Sequence, residues 1–374
     1  MQRKFSRNSI MTKTFDWVLA LVASVLAFLG LIAIFSATRS YASDTNIIVQ
    51  TIACLIGIAV MLILCYFDYE QFIPIIKYIF IACALFLIIV LVTGTTGKWG
   101  SKSWLRLGAV SIQPSEIVKC GFIITMAYHL MMIKENVNKP LVIIGLLLHV
   151  AVPVILVLLQ PDFGTAVVFV FIFCIMMFTA KLSYKYILPI IAGAISFLPI
   201  GYNFLDEFQK KRIQVFFNPE MDPLNSGYNV IQSKIAVGSG QLYGKGYLQG
   251  PQNQLEYLPA KSTDFIFSCF AEEFGFIGAM LIIVLLLYVI LKCLHVARKA
   301  DNLFGRYICV GVASMLFFHT AENIGMCIGL LPVTGIPLPF LSYGGTSVIT
   351  NFACIGIVLS VSYHNKPRSI FEVY

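Results

Sequence analysis

Long apolar runs alternate with short polar segments over most of this chain. A helix needs about twenty residues to cross the hydrocarbon core of a bilayer, and each run approaches that length. Ten spans are predicted on this pattern, near residues 15–37, 47–66, 73–93, 114–133, 141–159, 163–180, 185–204, 264–291, 306–330 and 340–363. The pattern predicts an all-α integral membrane protein, a single polytopic domain over residues 1–374 with a long loop between helices 7 and 8.

The composition agrees with a membrane protein and excludes a soluble one. Of the 374 residues, 59% are hydrophobic and 12% are charged, and the mean hydropathy is +0.86. A soluble fold of this length has too little interior to bury so much apolar surface. The formal net charge of +8 does not indicate nucleic acid as a partner, because most basic residues flank the apolar runs and act as topology signals.

The basic residues also predict the orientation of the chain. With both termini in the cytoplasm, most Lys and Arg residues fall in short inside segments. The short outside loops then carry only Arg39, Lys98, Lys102 and Arg106. Because short loops rich in Lys and Arg stay inside, we expect residues 1–14 and 364–374 to be cytoplasmic tails. The 205–263 loop is expected to face outward.

Four outward segments are unusually polar or rich in Gly and Pro, and we expect them to converge on one cavity. They are Gly94 to Lys119, Gln160 to Thr165, the 205–263 loop, and Leu331 to Ser347. Glycines at positions 238, 240, 244, 246 and 250 predict a turn-rich, adaptable loop and do not fit a phosphate-binding GxGxxG before a helix.

Asp264 lies where the polar loop turns back into an apolar run. It is either a first-turn acid stabilised by the helix dipole, or a carboxylate that faces a cavity and takes a proton or holds a cation. The residue pattern alone leaves both readings open. Glu272 and Glu273 lie about two turns deeper, where at least one should face the bundle interior in a structural pair.

Glu116 and Lys119 lie three residues apart after Gln113-Pro114, so they share one helix face and can pair. An ion pair inside a membrane helix is expensive, which favours a functional role. The alternative is a salt bridge that only pins two helices.

Three further residues are weaker candidates. Asp162 opens another helix on the outer side, where capping alone explains an acid. Arg212 ends a basic run that either contacts lipid headgroups or forms a basic wall for a phosphate-bearing ligand. Trp104 is most simply an interfacial belt residue.

The motifs together resemble the SEDS family (shape, elongation, division and sporulation). They are FNPEMDPLNSGYNVIQSKIAVGSGQLYGKG, LEYLPAKSTDFIFSCFAEEFGFIG, QPSEIVK, QPDFGTA and PLPFLSYGGTS, in the family's order and over essentially the whole chain. The short termini, the GSGQLYGKG run and the PEMDP run are most similar to the elongation branch. Where many members read PExHTDF, this chain has Ala260 and Ser262, so no role passes to those two positions.

The resemblance implies a peptidoglycan glycosyltransferase of the inner or cytoplasmic membrane that polymerises lipid II on the outer face. A class B penicillin-binding protein and the elongation machinery are the implied partners. Asp264 is the implied catalytic residue, acting as base or metal ligand in an inverting transfer. The substrate-binding candidates are Glu116, Lys119, Trp104, Arg212, Asp162 and the Ser342-Tyr343 pair of the SYGG run. A divalent cation, Mg²⁺ or Mn²⁺, is the one cofactor that this chemistry suggests.

Three other functions stay open at this point. A lipid II flippase or transporter is also polytopic, although no inverted repeat is visible and the polar motifs cluster on one side of the membrane. A pure scaffold needs no polar cavity and tolerates any residue at position 264. A division or sporulation paralogue has the same chemistry as the elongation enzyme.

Overall fold

The computed structural model describes residues 15–39, 45–95, 103–107, 110–186, 188–189, 203, 207–222 and 226–365. Its α-helices are α1 (Trp17–Thr38), α2 (Thr45–Tyr66), α3 (Ile76–Thr93), α4 (Pro114–Ile133), α5 (Pro140–Leu158), α6 (Phe163–Thr179), α7 (Glu207–Phe217), α8 (Ser226–Ser239), α9 (Pro251–Gln254), α10 (Ile266–Lys299), α11 (Leu303–Cys327) and α12 (Gly345–His364). The strands β1 (Leu105–Leu107) and β2 (Val110–Ile112) form an antiparallel hairpin before α4.

The helices match the predicted spans closely wherever the chain is described. Eight of them are long and apolar enough to cross a membrane, and α6 is a shorter apolar helix. The predicted span near 185–204 falls almost entirely outside the described residues. The count of ten spans therefore stays a prediction, as does the placement of both termini on one side.

Local sequence signals set where these helices begin. The side chain of Asp162 accepts from the backbone N–H of Thr165 and caps α6, so the predicted fifth and sixth spans are separate helices. Pro114 occupies the first turn of α4, where its missing N–H has no intrahelical partner to lose. Asp16 caps α1 in the same way as Asp162, by accepting from the N–H of Leu19.

The centre of the bundle is formed by α4, α11 and α12. Of the candidate spans, α11 and α12 are the most buried and α3 is the most exposed. Large apolar side chains such as Leu55, Ile81 and Leu148 point outward from the peripheral helices, as expected for surfaces that face lipid. Small residues let α2 and α12 approach closely, because a Cβ on Gly57 would overlap the ring of Phe352.

The described parts of the 205–263 segment contain α7, α8 and α9, joined by turns, and pack onto the bundle. Helix α8 lies against α10 and α11. The Ser233 hydroxyl is 2.6 Å from the Ser268 hydroxyl and donates to the carbonyl of Cys327 over 2.8 Å. The long loop is thus part of the bundle at the end where α10 begins and α11 ends.

The GSGQLYGKG run packs tightly against an interruption of α10. At Gly275 the backbone leaves helical geometry (φ 66°, ψ −166°). The groups released there are satisfied by the run: the N–H of Lys245 donates to Glu272 O over 2.9 Å, and that of Phe276 donates to Gln241 O over 2.8 Å. A Cβ on Gly244 would come within 2.1 Å of Glu273 O. The predicted turns are present, and Gly244 also permits close packing against α10. The predicted adaptability of the loop stays a prediction.

Replacing Gly275 by Ala should destabilise the protein. A Cβ there would lie 2.3 Å from the backbone N of Gly244, and φ is in the left-handed region. We expect a loss of at least about 1–3 kcal/mol, measured as a lower thermal midpoint in detergent. Gly145→Ala is the matched control, because nothing lies within 4 Å of its added Cβ. Equal midpoints for the two variants would contradict this account.

Candidate functional site

The segment that connects α11 to α12 holds the centre of the candidate site at Thr334. The Arg212 guanidinium donates to the carbonyl oxygens of Val333 and Thr334, over 3.1 Å and 3.3 Å. The Thr334 hydroxyl donates to a carboxylate oxygen of Glu322 in a short hydrogen bond. One residue of this segment therefore joins a cation from α7 to an acid on α11.

Two more acids lie beside the same segment. A Cβ on Gly335 would be 3.6 Å from Oδ2 of Asp264. On the other side, a Cβ on Gly164 would be 3.1 Å from the Thr334 side chain, which places the start of α6 and its capping Asp162 against the segment. Carboxylates from three separated parts of the chain thus lie near residues 333–335, which are called the Thr334 turn below.

Asp264 lies in the turn before α10 and is only 7% exposed. Its backbone carbonyl accepts a hydrogen bond of 2.9 Å from the Asn323 amide. The same amide donates to Ile336 O over 2.8 Å. Asn323 therefore ties the Asp264 turn to the connecting segment through backbone atoms and leaves the carboxylate of Asp264 to other contacts.

Ser342 and Tyr343 also hold the turn before α10, through hydrogen bonds to the two residues that precede Asp264. The Ser342 hydroxyl donates to Thr263 O over 2.7 Å, and the N–H of Tyr343 donates to Ser262 O over 2.8 Å. The SYGG run thus positions the residues immediately before Asp264. Its predicted contact with substrate stays a prediction.

Electrostatics couple Arg212 to the three acids. Burial lowers the pKa of the Arg212 guanidinium, while the negative charges of Asp264, Asp162 and Glu322 act in the opposite direction. An arginine stays charged under such opposed shifts. The carboxyl groups of Asp264, Asp162 and Glu322 therefore all interact electrostatically with the one guanidinium of Arg212.

Asp162 both caps α6 and lies inside this charged region. It accepts from the Thr165 hydroxyl over 2.9 Å and from the Gln113 amide over 3.4 Å. Burial raises the pKa of Asp162, and the bonds from Thr165 together with the charge of Lys119 lower it. The capping function is present, and the proposed contact with substrate stays a prediction.

Glu116 and Lys119 form a buried pair on α4. Their charged atoms are 2.7 Å apart, and the side chains are 3% and 1% exposed. The Lys119 ammonium also lies 2.9 Å from Nε2 of His319 on α11. The pair thus joins α4 to α11 below the Thr334 turn, and its role toward substrate stays a prediction.

Trp104 lies at the edge of the β-hairpin, away from the Thr334 turn. Its carbonyl accepts from the N–H of Thr95 over 2.9 Å. The hairpin approaches the site through β2, where the Thr346 hydroxyl donates to Ser111 O over 3.4 Å. No hydrogen bond or ring contact joins Trp104 to Asp264 in the part of the chain that the structure describes.

Glu272 and Glu273 have the structural role that was predicted for them. Glu272 accepts from the backbone N–H groups of Gln252 and Asn253, over 2.8 Å and 3.1 Å. Glu273 accepts from the Asn253 amide over 2.8 Å and from the Ser36 hydroxyl in a short bond. These acids anchor α9 and are separate from the Thr334 turn.

A groove extends outward from Arg212 beside α7 and α8. Its cavity volume is only about 20 Å³, and it combines two basic side chains with an apolar lining. The lining residues are Arg212, Val215, Phe216, Val230, Lys234, Gly329, Leu331, Pro332 and Val333. Its lining therefore places positive charge next to apolar surface.

The residues described here do not form a metal site of the usual kind. Among them, no three His, Cys, Asp or Glu side chains come together as ligands. The three acids instead surround a guanidinium. The Mg²⁺ or Mn²⁺ ion therefore stays a prediction, and no chemical step is derived through it.

Comparison with known proteins decides the family. The FTSW_RODA_SPOVE family, described as "Cell cycle protein", matches residues 16–367. The chain belongs to the FtsW/RodA/SpoVE family. The predicted family membership is confirmed, and so is the all-α integral membrane fold.

Relatives and solved structures agree with this family membership. MrdB of Escherichia coli K12, named a peptidoglycan glycosyltransferase, is 40% identical over 304 residues, covering 80% of each chain. A structure described as a peptidoglycan synthase complex has a TM-score of 0.80 and 27% identity, covering 93% of this chain and 98% of that one. RodA of Thermus thermophilus, a rod-shape-determining protein, has a TM-score of 0.71 and 25% identity, covering 95% and 98%.

In this FtsW/RodA/SpoVE chain, backbone and side-chain hydrogen bonds hold the turn before Asp264. The Asp264 N–H donates to Ala260 O over 3.1 Å. This bond uses only the backbone of Ala260 and does not depend on its side chain. The Lys261 ammonium is buried and donates to Asn253 O over 2.7 Å. The turn is therefore anchored to α9 as well as to α11.

Sequence reasoning missed Glu322, His319 and Asn323. All three lie on α11 within two turns, in the run HTAEN, and all are buried. The signal was present, because ionisable residues within a membrane helix point to the bundle interior and mark functional sites in such proteins. Their spacing of three and four residues also puts them on one helix face.

Proposed function

We propose that this chain is a peptidoglycan glycosyltransferase that polymerises lipid II into β-1,4 glycan strands for cell-wall elongation. The observation that carries the proposal is that a buried acid, Asp264, and a cation, Arg212, lie beside the same segment around Thr334, where the charge of Asp264 acts on Arg212. The name of MrdB, a peptidoglycan glycosyltransferase 40% identical to this chain, supports the reaction class.

The reaction needs one base and one stabilised leaving group. The 4-hydroxyl of an acceptor sugar attacks the anomeric carbon of lipid II from the face opposite the pyrophosphate, so the configuration inverts. A carbon–oxygen bond forms as the bond to the pyrophosphate breaks, and Asp264 takes the hydroxyl proton. Negative charge grows on the departing pyrophosphate, where Arg212 stabilises it.

In this proposal the anionic group of the substrate lies at Arg212, beside the small groove. Arg212 and Lys234 supply positive charge, and Val215, Phe216 and Val230 supply apolar surface. A polyprenyl pyrophosphate combines the same two properties. Lys119 is 1% exposed and held by Glu116 and His319, so in this proposal Arg212, and not Lys119, meets the pyrophosphate.

The partner and the orientation belong to the same proposal. The similar peptidoglycan synthase complex, which coordinates polymerisation and crosslinking, supports a class B penicillin-binding protein that supplies transpeptidation within the elongation machinery. The distribution of Lys and Arg supports cytoplasmic termini and an active face outside the cytoplasmic membrane.

Polymerisation of purified lipid II tests the proposal directly. We expect glycan ladders from the full chain alone or together with its penicillin-binding protein. If no combination makes ladders while labelled lipid II still crosses liposome membranes, the protein is a flippase and not a polymerase. Repeating the assay with EDTA, then with added Mg²⁺ or Mn²⁺, tests the predicted cation.

A further inference from the structure

Glu322 is a buried acid that neither the reaction above nor the helix packing explains. It is 4% exposed and lies on the interior face of α11. One carboxyl oxygen accepts from the Thr334 hydroxyl, and the other is buried without a hydrogen-bond partner. The negative charge of Asp264 acts on it, opposed by the charge of Arg212.

Glu116 shows how another buried acid in this bundle is paired. The Lys119 ammonium is 2.7 Å from Glu116, so both charges are neutralised. No Lys, Arg or His side chain pairs with Glu322 in this way within the described residues. A buried carboxylate without an ion pair, and with one oxygen unbonded, is strongly disfavoured relative to the neutral acid.

We propose that Glu322 carries a proton while Asp264 is ionised, and that this neutral carboxyl keeps Arg212 available to Asp264 and to the leaving pyrophosphate. The proposal deepens the glycosyltransferase function and rests on it. Glu322 is a positioning residue here, since it reaches the reacting groups only through Thr334 and Arg212.

The contacts of Arg212 explain how the proton on Glu322 affects Asp264. Arg212 is held by the carbonyl of Thr334, whose hydroxyl is bonded to Glu322. If Glu322 ionised, a second negative charge would compete with Asp264 for the one guanidinium and would repel Asp264. The other charged or titratable groups that face this region are Asp162 before α6, His319 on α11, and the Glu116–Lys119 pair on α4.

The sign of the pH dependence follows from this arrangement. Asp264 must lose a proton to act as base, which gives an acid limb where activity rises with pH. Glu322 must keep its proton, which gives an alkaline limb where activity falls with pH. Gln keeps an oxygen for the Thr334 hydroxyl and cannot ionise, so Glu322→Gln should retain the acid limb and lose the alkaline one.

Initial rates of lipid II polymerisation from about pH 5 to about pH 10 test this inference. At the alkaline end, Glu322→Gln should keep at least about tenfold more of its maximal rate than wild type keeps. Thr334→Val removes a donor that stabilises the ionised form, so it should move the alkaline limb upward. Glu220→Gln, exposed on the loop after α7, is the control and should follow wild type.

The inference is overturned if Glu322→Gln folds normally but is inactive at every pH, or if its alkaline limb matches that of wild type. A readout without substrate separates this failure from failure of the proposed function. Infrared difference spectra of the wild-type protein should show a protonated-carboxyl C=O band that disappears on alkaline titration. That band should be missing in Glu322→Gln; its persistence there would also overturn the inference.

Discussion

Asp264→Asn should abolish glycan polymerisation, with a fall in rate of at least about 100-fold. The substitution keeps the size of the side chain and removes its ability to accept a proton. The Asn323 bond to this residue uses the backbone carbonyl, so the turn before α10 should stay in place. The measurement is the rate of ladder formation from purified lipid II, together with the thermal midpoint of each variant in detergent.

The control for this prediction lies in the same loop. Glu256 is exposed and eight residues upstream, so Glu256→Gln removes an acid without touching the Thr334 turn. We expect wild-type rates from Glu256→Gln and unchanged thermal midpoints for both variants. Near-normal polymerisation by Asp264→Asn would exclude Asp264 as the base, and with it the proposed mechanism.

The helices were predictable because their signals are local. An apolar run of about twenty residues has few alternatives to a spanning helix. Helix starts followed from single residues, such as Pro114 for α4 and Asp162 for α6. The convergence of the four polar segments was also predictable from topology, and contacts such as Gln113 to Asp162 and Arg212 to Thr334 confirm that they meet.

The composition of the site was harder to predict because it depends on tertiary contacts. Nothing in the local sequence shows that the Thr334 carbonyl will hold Arg212, more than 100 residues upstream. Glu322 and His319 were overlooked because α11 reads as one more apolar run with scattered polar residues. The packing of the GSGQLYGKG run was not predicted for a related reason, since the close approach of Gly244 to α10 is visible only in three dimensions.

Lys119→Met should destabilise the protein by about 3–5 kcal/mol, because it leaves Glu116 buried and unpaired. Met keeps the length of the side chain, so the main change is the loss of the ammonium group. The result is measured as the thermal midpoint in detergent. Lys292→Met is a matched control: its pair with Asp16 is similarly close, at 2.8 Å, but Lys292 is 26% exposed, so a change of only about 0–1 kcal/mol is expected.

The double variant Glu116→Gln/Lys119→Met decides between the two interpretations of this pair. If the pair only pins α4 to its neighbours, removing both charges should restore most of the stability and the polymerisation rate together, because no buried charge is left unpaired. If Lys119 or Glu116 contacts substrate, stability should recover while the rate stays low. The bonds from Lys119 to Glu116 and His319 favour the first outcome, because they occupy the ammonium within the bundle. A variant that is stable and inactive would instead place the pair in the substrate site.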